Sequence, residues 1–318
     1  MTRHLIHVPQ GHAERVDRLL AASIEGVSRR LIQRLLAERL VRVDGRAARK
    51  GEVIRGERTI EVELLAPLTA AIVAEAKPAV PLLAEDPSFV ALDKPAGRPG
   101  HALRAADRGT IANFLAACFP ECVAAGDSPL EAGLVHRLDT ATSGVLLAAR
   151  SREAWLALRR QFHEGTIEKR YLAVVSGTLA EPGEIRRPIA PHPRSRRKVL
   201  ALDEGDPSPD ARTALTRYRP LSGGRGATLL EVEIPTGRMH QIRAHLAAIG
   251  HPVIGDTIYG GEPIPEARHL LHAAELVFED PESSRRFRVQ SPPPAEFLVA
   301  LARVGIGSSA AALGTRRR

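Results

Sequence analysis

The segment His136-Arg137-Leu138-Asp139-Thr140-Ala141-Thr142-Ser143-Gly144 runs straight into an apolar stretch, Val145-Leu146-Leu147-Ala148-Ala149. Ser151 then opens a helical pattern that carries Ala154, Trp155, Leu158 and Phe162 at helical spacing. This order reads as a buried strand followed by an amphipathic helix, with Trp155 in the core. Asp139, two residues after Arg137, falls at the mouth of that strand. A charge is costly to hold there without partners, so Asp139 is a candidate reagent. The plainer alternative is an Asp that caps a turn or pairs with its neighbour.

Outward from this segment, Leu82 to Leu92 is strand-like across Asp86-Pro87-Ser88, and Lys94-Pro95-Ala96-Gly97 is a loop. Glu168 to Gly177 is a further strand with Tyr171 in its middle, and strands are expected at 212–219 and 228–234. Residues 186–199 are rich in Pro, Arg and His, and Arg194, Arg196, Arg197 and Lys198 make the densest positive loop in the chain. In Thr236-Gly237-Arg238-Met239-His240-Gln241-Ile242-Arg243, Gly237 permits a sharp turn into a helix beginning near Met239. Arg243 shares a face of that helix with Ala247 and needs an anion; Asp139 is an available one.

Residues 12–65 read as a small module. Arg15 to Ser23 is helical, Ser28 can cap a second helix over Arg29 to Leu40, and Arg30 and Arg34 share its polar face. Leu40 to Val43 and Thr59 to Leu64 are strands, with Asp44-Gly45 a tight turn. The domain scheme is therefore residues 1–65, a linker at 66–80, a second domain at 81–302, and a disordered basic tail at 303–318 ending in Arg316-Arg317-Arg318.

The chain has 318 residues, enough for two domains, and a formal net charge of +8. Residues 1–65 hold 13 Lys and Arg against 9 Asp and Glu, so a net +4 sits in about a fifth of the chain. A polyanionic partner is favoured. No apolar run approaches the roughly 20 residues of a membrane span, and residues 1–10 lack a signal-peptide core. A cytoplasmic location with no membrane partner follows as an expectation. Cys118 and Cys122 make neither a disulfide framework nor a closed zinc site. His240, His245 and His251 have no acidic or Cys companion at ligand spacing, so no metal is expected.

Residues 81–298 resemble the RluA family of RNA pseudouridine synthases. The likeness runs through Leu83-Ala84-Glu85-Asp86, Leu92-Asp93-Lys94-Pro95-Ala96-Gly97, Gly109-Thr110, Gly133 to Asp139 and Lys169-Arg170-Tyr171. It closes with Thr236 to Leu246, Gly250 to Asp256, Tyr259-Gly260 and Leu271-His272-Ala273. Residues 15–20, Ser28-Arg29, Val41 to Gly45 and Lys50 are similar to the small RNA-binding domain first described in a ribosomal small-subunit protein.

The resemblance implies an α+β fold. Its catalytic domain would hold a mixed, largely antiparallel sheet flanked by helices. It implies isomerisation of uridine to pseudouridine in structured RNA, without cofactor or metal, by a monomer. Large-subunit ribosomal RNA is the expected substrate and tRNA the second. Carried over by position, Asp139 is the catalytic carboxylate and Arg243 its partner. Tyr171 packs on the flipped base as a wall and a suggested proton acceptor, and Arg137 fills the gap left in the stack. Arg29, Arg30, Arg34, Lys50, Arg194, Arg196, Arg197, Lys198, Arg238 and His240 would meet RNA. Thr140, Met239 and Arg98-Pro99-Gly100 depart from the family pattern. Two rival readings are a non-catalytic ribosome-assembly factor and a glycosidic hydrolase. The hydrolase would need a second matched carboxylate, and none is evident.

Overall fold

The computed structural model describes residues 2–11, 13–24, 29–64, 72–203, 205–206, 208–265 and 268–307. Ser28 lies outside them, as do most of the expected linker and the end of the expected tail; the side chains of Arg29, Arg30, Arg34 and Arg196 are likewise outside the description. The chain divides into two units, one of Met1–Ile72 with Asp127–Pro129, the other of Val73–Gly126 and Leu130–Arg318.

The smaller unit contains β1 (Thr2–Val8), β2 (Ala13–Arg15), α1 (Val16–Ser23), α2 (Arg29–Ala37), β3 (Val41–Val43), β4 (Arg46–Ala47), β5 (Val53–Arg55) and β6 (Arg58–Leu64). Its main sheet has the order β1-β6-β3-β4. Val16 and Leu20 of α1 and Ile32, Leu35 and Leu36 of α2 pack with Ile60 and Val62 of β6. Asp44 and Gly45 both have positive φ, the two-residue turn that suits a right-twisted hairpin, and the Asp44 carboxylate accepts the Thr59 N–H at 2.9 Å. β1 was not legible in sequence: its alternation is broken by His and Arg, and its partner β6 is some fifty residues away.

The larger unit contains β7 (Leu82–Glu85), β8 (Phe89–Lys94), α3 (Ile111–Cys118), α4 (Cys122–Ala125), β9 (Ser143–Ala149), α5 (Arg152–Glu164), β10 (Glu168–Ser176), β11 (Gly183–Ile185), β12 (Ile189–His192), β13 (Ser195–Ala201), β14 (Thr216–Gly224), β15 (Ala227–Glu233), α6 (Gln241–Ala248), β16 (Leu271–Glu279), β17 (Arg286–Gln290) and α7 (Ala295–Arg303). Nine strands form one sheet in the order β11-β14-β15-β10-β16-β9-β8-β7, with β17 also on β16. Every pairing is antiparallel except β9 with β16. The fold is α+β with a mixed, largely antiparallel sheet.

β9 lies inside the sheet between β16 and β8, and its seven residues are all buried. Gly144 sits where a Cβ would lie 2.1 Å from the Ala273 carbonyl oxygen of β16, so only glycine allows this approach. Ser151 caps α5 by accepting the Ala154 N–H, and Gly165 ends it in the left-handed region. Trp155 and Leu158 of α5 enter a core with Val145, Leu147 and Phe278.

The basic cluster of residues 194–198 falls on the hairpin β12–β13. Three expectations are corrected. Leu82 to Leu92 is two strands that turn at Asp86 and Phe89. The strand expected at 212–219 runs at 216–224; Pro220, which cannot donate to a ladder, coincides with a register shift. The helix carrying Arg243 starts at Gln241 rather than near Met239, and His240 before it is in left-handed backbone (φ 53°). The Gln241 side chain explains this. It accepts from Arg238 N–H and Thr236 Oγ1 and donates to the Leu215 carbonyl, tying the turn from inside.

Residues 73–80 are held by specific bonds within the larger unit. Asn113 Nδ2 donates to the Val73 carbonyl at 2.7 Å, while Arg98, buried, donates to the Pro78, Gly109 and Thr110 carbonyls. The family departure at Arg98 is therefore a backbone staple. At the other end, Ile306 beyond α7 is buried.

Candidate active site

The loop before β9 is placed by the end of β8. Lys94, fully buried, donates to the Thr140 carbonyl at 3.0 Å and the Pro95 carbonyl at 2.9 Å; the Gly97 N–H shares the Thr140 oxygen at 2.7 Å. Burial pushes Lys94 down to about 7 against the pull of Asp139. On the other side, His136 Nε2 accepts the Leu147 N–H at 3.0 Å, and its ring stacks on Phe162. Burial pushes His136 down to about 3, with Lys169 and Arg159 adding to the effect. It is a neutral wall with its proton on Nδ1.

Between these anchors, Asp139 faces a cleft of about 760 Å³. Arg243 Nη1 donates to Asp139 Oδ2 at 2.8 Å, the ion pair expected from sequence. The guanidinium is also gripped by Asp256, with Nε to Oδ2 at 2.6 Å and Nη2 to Oδ1 at 2.8 Å. Burial opposes the charge on Arg243, but its bond to Asp256 and the two carboxylate charges more than offset this and raise its pKa.

Tyr171 of β10 is buried and lines the same cleft. Burial, then the Asp139 charge, pushes its pKa upward, so it stands as a neutral phenol. His240 Nε2 lies 3.7 Å from Asp139 Oδ1, and its Nδ1 meets the Tyr259 hydroxyl at 3.2 Å. Burial lowers His240 while Asp139 raises it, and the net shift is downward. Tyr259 accepts the Val199 N–H of β13 at 2.9 Å and lies with its ring 5.2 Å from the Arg243 Cζ. It therefore joins the basic hairpin to the ion pair.

The structure brings Asp139, Tyr171, Arg243, Arg137, Arg238 and His240 to one cleft. Arg137 and Arg238 are exposed, and Arg238 Nε donates to the Thr213 carbonyl at 3.1 Å. Arg194, Arg197 and Lys198 are on the β12–β13 hairpin, and Lys50 is exposed in the smaller unit. Sequence reasoning gave no role to Asp256, Lys94, Tyr259 or Lys169. Arg243 offered the one available signal: a buried guanidinium has more donors than a single carboxylate can satisfy. Among the described residues, no group of three His, Cys, Asp or Glu could hold a metal, and no helix is long and apolar enough to cross a membrane.

Residues 88–248 match the family model for RNA pseudouridylate synthases. The chain is 36% identical over 301 residues to an "Uncharacterized RNA pseudouridine synthase" of Chloroflexus aurantiacus, covering 94% of this chain and 92% of that one. It is 34% identical over 304 residues to the "Ribosomal large subunit pseudouridine synthase D" of Xanthomonas campestris, covering 91% and 88%. The fold is similar to that of human RNA Pseudouridylate Synthase Domain Containing 1, with a TM-score of 0.56 and 25% identity over 70% of this chain and 86% of that one. With the match spanning half of its length and relatives above 30% identity across nearly all of it, the chain belongs to the RNA pseudouridylate synthase family, of the RluA type, and is an RNA pseudouridine synthase.

Proposed function

We propose that the chain converts uridine to pseudouridine in large-subunit ribosomal RNA, with Asp139 as the catalytic carboxylate. The observation that carries this reading is the Asp139–Arg243 pair at the floor of a cleft walled by Tyr171. Relatives named as large-subunit synthases from Xanthomonas campestris and Nitrosomonas europaea support the substrate.

The reaction conserves atoms. The bond from uracil N1 to the ribose C1′ breaks, a bond from C5 to C1′ forms, the C5 proton leaves, and N1 gains one. A stacked uridine hides that bond, so the base must be extruded at a cost of a few kcal/mol. Arg137, exposed at the cleft, fills the vacated stack. Asp139, aimed by Arg243, acts on the ribose, by direct attack or by taking a proton. Neutral Tyr171 supplies a flat wall with a hydroxyl handle. The smaller unit, with its basic second helix, docks the RNA, and a single chain supplies the whole cleft.

The test is carbodiimide primer-extension mapping of unmodified large-subunit ribosomal RNA and tRNA transcripts treated with wild type and Asp139→Asn. Wild type should convert specific uridines in the ribosomal RNA, and the variant should convert none while binding within a few-fold. Turnover by Asp139→Asn would remove the assigned role. Conversion of the tRNA alone would replace the substrate.

A further inference from the structure

Two adjacent cations on β10 have opposite surroundings. Arg170 is bonded to three carboxylates, Glu168, Glu233 and Glu275. Lys169 is 5% exposed, lines the cleft, and has one protein acceptor, the Pro235 carbonyl at 3.2 Å. Among the described residues no carboxylate pairs with it. Its ammonium stands 5.7 Å from the Phe162 ring centroid, on the side of the cleft where Phe162 stacks on His136. Burial pushes Lys169 down to about 8, and Arg238 adds to the effect.

Arg238 and Arg159 line the same cleft, and each donates to a backbone carbonyl, Thr213 and Val135 respectively. Neither forms an ion pair among the described residues. A buried ammonium with no carboxylate partner, and with the charge of Arg238 acting on it, is an expensive arrangement in the free protein. It becomes favourable when an anion enters. Of the acids lining the cleft, Asp139 is committed to Arg243, and among the described residues neither Glu131 nor Glu164 pairs with Lys169, Arg159 or Arg238.

We propose that Lys169, Arg238 and Arg159 form a binding site for one backbone phosphodiester of the substrate RNA, beside the nucleotide held at Tyr171. The proposal rests on the functional reading above and deepens it. Lys169 and Tyr171 are both buried on β10 and both line the cleft, two residues apart. The strand rise puts their Cα atoms about 7 Å apart. A nucleotide whose base rests on Tyr171 thus presents a phosphate within the reach of a lysine side chain. Lys169 supplies a charge shielded from water, and the two arginines supply fork-shaped donors. Phe162 and His136 offer an uncharged aromatic flank for the base that follows.

The experiment uses the full chain and an unmodified large-subunit ribosomal RNA transcript. Filter binding across a salt series is run with wild type, Lys169→Gln, Lys169→Arg and Arg238→Gln, alongside single-turnover pseudouridine formation. Lys169→Gln should weaken binding roughly tenfold, as loss of a charge-assisted contact does. Its slope of log affinity against log salt should fall by about 0.7 to 0.9. Lys169→Arg should keep the wild-type slope, and Arg238→Gln should lower it. An unchanged slope in Lys169→Gln, or a lowered melting temperature with no change in slope, overturns the site. Should Lys169→Gln fail to fold, the slopes of Lys169→Arg and Arg238→Gln decide the matter alone. If wild type forms no pseudouridine, the functional reading fails; if wild type turns over and Lys169→Gln matches its affinity and slope, only the phosphate site fails.

Discussion

Asp256 grips the Arg243 guanidinium through both carboxylate oxygens, at 2.6 and 2.8 Å, and leaves Nη1 free to reach Asp139. Asp139 is thus aimed by a cation that is itself clamped from behind. The clamp is buried on both sides.

Asp256→Asn should cost about 1.5 to 3 kcal/mol of stability, as loss of a charged hydrogen-bonding partner does, because Arg243 keeps Asp139 as its counter-charge. It should also slow the single-turnover rate more than it weakens RNA binding. Urea melts and single-turnover assays check both. Equal stability and rate in the variant would show that Arg243 holds its place without the clamp.

Tyr259→Phe deletes the hydroxyl that receives the Val199 N–H and meets His240. The ring beneath Arg243 remains. A loss of about 1 kcal/mol in stability is expected, as for one hydrogen bond. RNA binding should weaken a few-fold because the hairpin carrying Arg194, Arg197 and Lys198 loses its tie, and the saturating rate should change little. A titration indistinguishable from wild type would contradict this.

Lys94 has a pKa of about 7 in the fold, against about 10.4 for an unperturbed lysine. Between those values the unfolded chain binds more protons than the folded one. The contribution of this position to stability therefore rises as pH climbs from about 7 to about 10. Below about pH 7 both states hold the proton and the penalty for burying it is constant. Lys94→Met should flatten the rise, read as the difference in melting temperature between the two proteins at several pH values. Parallel curves across that window would show that the ammonium is not suppressed by burial.

Gly144→Ala places a methyl 2.1 Å from the Ala273 carbonyl oxygen at a φ of 114°, so the variant should accumulate as insoluble protein. Gly237→Ala meets nothing within 4 Å at an ordinary φ, and should melt within about 0.5 kcal/mol of wild type. Solubility and urea melts of the pair are the check. A soluble, native Gly144→Ala would mean that β9 and β16 can separate locally.

Much of the site was legible because chemistry and backbone punctuation coincide there. Asp139 stands out as a charge beside an apolar strand, and Arg243 as a guanidinium on a largely apolar helix. Their pairing at 2.8 Å follows from mutual need. The Asp256 clamp was not legible, because Gly255-Asp256 reads locally as an ordinary turn. Only the fold brings it behind Arg243. Lys94 looked like a loop residue since its two acceptors are backbone carbonyls, one of them 46 residues away. The helix expected to begin near Met239 starts at Gln241, because the Gln241 side chain ties the preceding turn and leaves His240 in left-handed backbone. Pro220 hid the true extent of β14, since a proline argues against a strand interior.

The parallel pairing of Ser143 and Gly144 with His272 and Ala273 sets a schedule for the newly made chain. The strand that follows the Asp139 loop lacks this neighbour until the ribosome has translated some 130 residues more, and non-local pairings of this kind form slowly. A polypeptide still emerging from the exit tunnel can display its basic N-terminal unit long before it owns a working centre. If the N-terminal unit docks RNA as proposed, binding competence precedes chemical competence during synthesis, and a prematurely terminated product would occupy RNA without altering it.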